Sequence, residues 1–575
     1  MTSSAKQSKI ENRKSRIIAR YFPFLILAGA FVWSAITILM TRAQESPPGT
    51  TVLHIAHWQL ETGVKEALEL MARRYQAIHP HVRIVQNIIP DSAYGTWLTT
   101  NLLGGTAPDM VEIPDSSKLP PDIMLAYHSR YFVPLTPYVS RLNPYNQGTA
   151  LERVPLRQTY KDGMRESYVQ ELQDYMDIPL SLFGVRVFYN QDLYRRLTGE
   201  TAPPRDYRAF LAVCEKIKNQ KDARGQNYIP ICGEHESMWA WESQMFDMLT
   251  YPAVRRVDFD RDGLVSTEEL YAGFKVGLID FQFPAFRARY KMVQEVTQYF
   301  PLGFTGLNHD DSVFQFAQQR GVFLSTGTWD ARSLLAQADG KFDVGIMDFP
   351  LPARDDPEYG AFIEGPRYEG DPSGGFPVGI TRASAHFEQT LDFLFFMVSQ
   401  KQNEDLNQVM GWIPIISGAK MEPFYDAFAP HLEGVYGALS LNLGGETRSK
   451  YQQLYTLYQS GQISYAYLVA QFEDFYKTRG LEDFRERERD WRRALHRNEQ
   501  LLASMRAEAL FSSGPQAASH WAKYRAMSAS RQVLAEVEHS RKVRLVEQGP
   551  ALKAAAPYEY SPEVLGRIRQ RLGRQ

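Results

Sequence analysis

The sequence predicts an α/β chain of more than one unit, with a membrane helix at its N-terminus and a helical extension at its C-terminus. Three observations lead there: strands alternate with amphipathic helices from Thr51 onward, an uncharged apolar run occupies residues 21–41, and residues beyond 480 become charge-dense with helical periodicity. The 575 residues exceed one compact core, since a domain typically takes about 100–200. Aromatic content is 13% and the formal net charge only −2, so the charge balance gives no reason to expect a nucleic-acid partner and suits a neutral ligand.

Residues 1–20 carry Lys6, Lys9, Arg13, Lys14, Arg16 and Arg20, and form a basic tail. The run Tyr21–Thr41 has the ~20 apolar residues that a helix needs to cross a bilayer. Positive charge before it and little after it place the tail in the cytoplasm and the bulk of the chain on the outer side of the membrane. The run is longer than a secretory core, which favours a retained single-pass anchor, although Thr41-Arg42-Ala43 is a passable cleavage site. Residues 42–51 then read as a linker.

From Thr51, "TVLHIAHW" alternates as a strand does. Val64, Leu68, Met71 and Tyr75 follow at helical spacing until Pro80, and "HVRIVQNIIP" is a second strand. A helix over Tyr94–Leu103 ends at Gly104-Gly105, and "APDMVEIPD" is a third strand. Such alternation implies a layered domain with a largely parallel sheet, whose ligands bind at the carboxyl ends of the strands, where Trp58, Glu61 and Glu112 fall. Cys214 and Cys232 are too few for a disulfide framework; one bridge and two buried thiols both fit.

"HIAHWQLETG", "YQAIHPHVRIVQ" and "LLGGTAPDMVEIP" together resemble the opening of a family 1 extracellular solute-binding protein of ABC sugar-uptake systems. Four later stretches resemble that family in the same order: "IPLSLFGVRVFYNQDLYRRLTGETAPP", "GVFLSTGTWDARSLLAQADGKFDVGIMDFPLP", "SGGFPVGITRASAHFEQTLDFLFFMVSQKQNEDL" and "SGQISYAYLVAQFEDFY". The resemblance implies a two-lobed, periplasmic-binding-protein-like (type II) fold over residues 52–480, with a ligand enclosed in the interlobe cleft and passed to ABC permease subunits. Flat C–H faces of sugars stack on aromatic rings, and carboxylates and amides take their hydroxyls. Candidates for that work are Trp58, Glu61, Glu112, Tyr189, Asn190, Trp239, Trp241, Trp329, Asp330 and Trp412. Each tryptophan is also a candidate for core packing, the commoner role of that residue, and each acid for a helix cap or a solvated surface.

Within this span "VDFDRDGLVSTEEL" reads as a calcium loop. Asp258, Asp260 and Asp262 take the first three oxygen positions, Gly263 the sharp turn, Leu264 the backbone carbonyl, Ser266 the water-bridged position and Glu269 the bidentate carboxylate. "STEELYAGFKVGLI" supplies the exiting helix, whereas Pro252 prevents a long entering one. With no second loop of this pattern, a structural Ca2+ clip is expected rather than a paired sensor.

Residues 481–575 lie outside the resemblance. "LEDFRERERDWRRALHRNEQLLASMRAEALF" places Phe484, Trp491, Leu495, Leu502 and Met505 along one helical stripe, "SSGP" breaks it, "SHWAKYRAMSASRQVLAEVEHSRKVRLVEQ" reads as a second helix and Ser561-Pro562-Glu563 opens a third. These helices either fold against the receptor or recruit a partner protein. No phosphate loop or "GxSxG" occurs, and His54, His57, His79 and His81 lack a partner set, so no enzyme is expected.

Overall fold

The computed structural model describes residues 49–115, 118–235, 237–261, 263, 265–369, 374–431, 434–435, 439–529 and 532–549. The expected cytoplasmic tail, membrane helix and final helix lie outside these residues. No helix among the described residues is long and apolar enough to cross a membrane.

The chain opens with β1 (Thr51–His57), α1 (Val64–Ile78), β2 (Val82–Ile88), α2 (Asp91–Gly104), β3 (Met110–Glu112), α3 (Pro121–Tyr131) and β4 (Ile178–Leu182). It continues through β5 (Val185–Asn190), α4 (Gln191–Thr198), α5 (Tyr207–Lys218), β6 (Ile229–Ile231), α6 (Thr267–Val276), α7 (Pro284–Thr297), α8 (His309–Ala317), β7 (Gly321–Gly327), α9 (Thr328–Ala338) and β8 (Val344–Met347). Next come β9 (Gly374–Ile380), α10 (Phe387–Met397), α11 (Gln400–Met410) and β10 (Ile413–Pro414). The helices α12 (Gly445–Gln459), α13 (Tyr465–Phe511), α14 (Pro515–Ser528) and α15 (Gln532–Gln548) complete it.

Two compact units can be separated. The smaller includes Gln76–Val85 and the segment ending at Val52, where the Thr51 N–H donates to the His81 carbonyl at 2.7 Å. The larger, Leu53–Tyr75 with Gln86–Gln575, holds the candidate site, the acidic loop and the C-terminal helices.

The first lobe is built on a six-stranded sheet in the order β10-β4-β9-β3-β1-β2, and the second on a four-stranded sheet in the order β8-β5-β7-β6. Only Phe183 and Gly184 separate β4 of one sheet from β5 of the other. The chain returns to the first sheet at β9 and leaves it again after β10. The sheets are mixed, not largely parallel: β1 runs parallel to β3, but β9 is antiparallel to both β3 and β4, and β5 is antiparallel to β7 and β8. The reversal has a topological cause. Strand β9 enters beside β3 only after the whole second lobe has been built, a pairing that local periodicity does not encode.

The second lobe has a large aromatic core that gathers Tyr207, Phe210, Trp241, Phe274, Phe281, Tyr290 and Phe323 with Phe472 and Tyr476 of α13. Cys214 and Cys232 are both free and buried, so the bridge is not formed. Helix α13 runs through Gly480 without a break; a Cβ there would lie 2.8 Å from the Tyr271 ring, so glycine permits the close approach. The turn expected at "SSGP" is present after Phe511. What read as one following helix is two, α14 and α15.

Candidate functional site

Parallel pairing of β1 with β3, Ile55 opposite Met110 and Ala56 opposite Val111, brings the loop after β1 alongside Glu112. The Trp58 N–H donates to Glu112 Oε2 at 3.2 Å, and Gln59 Nε2 donates to Glu112 Oε1. Glu112 is wholly buried, and that burial pushes its carboxyl well above the usual range against the pull of these two donors. Glu61 follows in the same loop, with Gly63 at φ 97 turning the chain into α1. Burial raises its carboxyl too, and the charge of Asp330 from the other lobe adds to the rise. Its Oε2 is enclosed with no hydrogen-bond partner among the described residues. Trp58 is half-buried, edge-on to Tyr94 at 4.8 Å, with the Lys118 ammonium 4.6 Å from its ring centre. One indole face is thus already taken by a cation.

In the second lobe, β7 ends at Gly327 and α9 begins with Thr328, which puts Trp329 and Asp330 in the first helical turn. A Cβ on Gly327 would stand 2.1 Å from the Trp329 ring, so only glycine lets that indole fold back over the strand end. Asp330 accepts hydrogen bonds from His309 Nε2 at 2.6 Å and Thr326 Oγ1 at 2.5 Å. Burial works against the His309 cation, but the Asp330 hydrogen bond and charge outweigh it and raise the imidazole to about 9.

Trp239, half exposed, stacks on Trp329 with centroids 6.4 Å apart and planes at 29°. Phe183, the first residue of the interlobe connection, lies edge-on to Trp329 at 5.3 Å and to Trp412 at 5.0 Å. An aromatic row therefore runs from the second lobe through the connection into the first. On one side of it the lobes touch: Arg332 of α9 donates to the Val409 carbonyl of α11.

The remaining candidates sit deeper. Trp241 is wholly buried against Phe210, Phe300 and Phe349, which makes it a core side chain rather than a ligand platform. Trp412 is 2% exposed, so only the edge of the aromatic row reaches it. Tyr189 packs on Tyr194 and Phe323, and Asn190 caps α4 by accepting the Leu193 N–H at 2.8 Å. Their tyrosine-asparagine pair is accounted for by strand and cap. His309, Phe183 and Gln59 are brought to this region although sequence reasoning passed over them. For Phe183 the signal was present: a single aromatic and a glycine between two apolar strands. Two open depressions elsewhere, of about 450 Å3 beside His235, Gln452 and Thr456 and about 270 Å3 beside Gln282, Arg287 and Lys291, include none of these side chains.

Three carboxylates of the acidic loop come together. Asp258, Asp260 and Glu269 each place a carboxylate oxygen within 4.8 Å of the others, a grouping able to hold a metal ion. Gly263 adopts φ 87, the sharp turn required of the sixth position. Glu269 Oε1 accepts the N–H of Phe259 at 2.9 Å and of Asp260 at 3.3 Å, and its Oε2 accepts the Ser266 N–H at 2.9 Å. Ser266 in turn caps α6 in a reciprocal box with Glu269. Burial and the neighbouring Asp260 charge raise the Glu269 carboxyl, a rise that a bound cation would reverse. Asp262 and Leu264 lie outside the described residues.

The model of the bacterial extracellular solute-binding proteins matches residues 60–404, well over half of the chain, and the chain belongs to that family. The family binds and carries solutes and performs no catalysis. An uncharacterised ABC transporter extracellular-binding protein of Pyrococcus horikoshii is 22% identical over 219 residues, which are 35% of this chain and 44% of that protein. The match thus spans less than half of that relative's length. Among solved structures, the bacterial solute receptor AcbH, with an exclusive preference for β-D-galactopyranose, superposes with a TM-score of 0.53 at 12% identity, over 76% of this chain and 100% of its own. A chitin oligosaccharide binding protein gives 0.51 at 16% identity, over 75% and 99%. At such identities the likeness is one of fold.

Proposed function

We propose that the chain is a membrane-tethered extracytoplasmic receptor for a sugar or oligosaccharide, anchored by Tyr21–Thr41 and delivering its solute to an ABC permease by lobe closure. The receptor body is 52–480 and the extension 481–575. One observation carries the reading: the enclosed Glu61 carboxyl of the first lobe, its Oε2 without a hydrogen-bond partner among the described residues, lies within reach of the Asp330 charge of the second, beside an indole pair whose outer member, Trp239, is half exposed. An enclosed carboxyl oxygen without a partner is best satisfied by a hydroxyl donor, and a flat indole supplies the apolar face that a pyranose ring stacks on. Trp58, Glu112 and the rest of the aromatic row support the walls. The sugar preferences of the two structural neighbours agree with this chemistry.

The test is a thermal-shift series with galactose, chitin oligosaccharides and other mono- and oligosaccharides. A bound solute raises Tm according to its concentration over Kd. The expected result is a saturable shift that Trp329→Ala reduces at least tenfold in apparent affinity, about 1.4 kcal/mol or more. Absence of a shift from every saccharide overturns the reading. A second reading, a receptor-like sensory or scaffolding subunit, is favoured by the docking of the C-terminal helices on both lobes. Copurification with permease subunits separates the two.

For the acidic loop the ion proposed is Ca2+, held by Asp258, Asp260, Asp262, the Leu264 carbonyl, Ser266 through water and Glu269, and serving structure.

A further inference from the structure

The C-terminal helices pass from one lobe to the other and back. Helix α13 is rooted in the second lobe, where Leu468, Phe472 and Tyr476 are fully buried, and it also packs on α3 of the first. Helix α14 lies on α10 of the first lobe. There Ser519 Oγ accepts the Phe387 N–H at 3.0 Å, and Tyr138 Oη donates to the Ala522 carbonyl at 3.2 Å. The buried Lys523 ammonium donates to the carbonyls of Arg382 at 3.1 Å and Ser384 at 2.6 Å.

Helix α15 then returns to α6 of the second lobe. Lys275 Nζ donates to the Val546 carbonyl at 2.8 Å and Arg541 pairs with Asp260 at 2.5 Å. Lys542 stands between Glu268 of α6 at 3.8 Å and Glu171 at 3.6 Å, the latter in the first lobe's hairpin of Tyr168–Val169 and Asp174–Tyr175. Trp491 of α13 stacks on His539 of α15 at 3.8 Å and ties the helices to each other.

We propose that α13, α14 and α15 form a strap that clamps the two lobes, so that hinge motion about Phe183 and Gly184 requires one end of the strap to lift. A body anchored in both lobes resists any rotation that changes the distance between its anchors. The two ends differ in chemistry. Lifting α14 uncovers a buried ammonium and strips two carbonyls of their donor, a costly step. Apart from Val546, buried in the second core, the α15 end is held to the lobes by ion pairs, those of Lys542 with Glu268 and Glu171 and that of the 45% exposed Arg541 with Asp260, and such pairs weaken as salt rises. The α15 end is therefore the releasable one.

The experiment places spin labels on the exposed positions Lys65→Cys, in the first lobe, and Arg224→Cys, in the second, and measures their distance distribution by pulsed dipolar spectroscopy in the full chain. No saccharide is added, so the outcome is independent of the solute reading. The expected result is one narrow population at low salt, broadened about twofold by Lys542→Glu, by 1 M salt and, to a larger extent, by Lys523→Glu. Lys542→Glu changes a partly exposed side chain and keeps the test open where Lys523→Glu fails to fold. Narrow distributions that ignore both Lys542→Glu and salt, or a broad one in the unaltered chain, overturn the strap.

Discussion

Asp330 accepts from Thr326, the penultimate residue of β7, and from His309, which α8 brings across the end of that strand. Because the imidazole is raised to about 9 from an ordinary 6.5, its pairing stabilises the fold fully below about pH 6.5 and is lost as the pH climbs through 9. The His309 side chain is 33% exposed, so the contribution is discounted to on the order of 1–2 kcal/mol. Asp330→Asn removes the pairing but also relieves Glu61 of a like charge, which returns part of the loss. Urea unfolding of both proteins between pH 6 and 10 should give a stability difference that is largest near pH 6 and shrinks steadily above pH 7. A difference that stays level over that range would mean the histidine is not charged against Asp330.

At the scale of one element, the turn from Asp258 into α6 shows how far local coding reaches. Its candidate ligand positions, sharp glycine and helix cap fall within twelve residues, and the close spacing of Asp258, Asp260 and Glu269 agrees with their convergence. The positions of Trp58 and Glu61 were legible for the same reason: both fall in the short stretch after β1, whose alternation is plain. Trp241 was not, because its burial is decided by Phe210, Phe300 and Phe349, which arrive from remote segments. The antiparallel entry of β9 and the docking of α14 were hidden likewise, since helical period tells that a face is apolar without telling what covers it. For the loop itself, Ca2+ against chelator should raise Tm, by the equivalent of about 2.7 kcal/mol when the ion is a hundredfold above Kd. Glu269→Gln should abolish that difference, and an unchanged Tm in chelator would remove the ion from the account.

The whole molecule divides its apolar surface between lobes. One core gathers second-lobe residues from Val185 to Phe349 with Leu443, Phe472 and Val546, and another joins Ala56, Tyr94, Val111 and Phe132 in the first lobe. Two cores joined only by short crossings such as Phe183-Gly184 would unfold separately, because interfaces between domains are usually too small to couple them. The C-terminal helices change that balance. Val546 is fully buried in the second core, while Ser519, Ala522 and Lys523, on the same continuous run of chain, are buried against the first. Opening either lobe therefore exposes part of what stabilises the other, and calorimetry of the full chain should show one transition whose calorimetric and van't Hoff enthalpies agree. Lys523→Ala cuts the first-lobe anchor, leaving the Arg382 and Ser384 carbonyls without that donor at a cost of about 1–3 kcal/mol. The first lobe should then melt ahead of the second and split the transition in two. Two transitions already present in the unaltered chain would show that the lobes fold independently and that the helices merely rest on them.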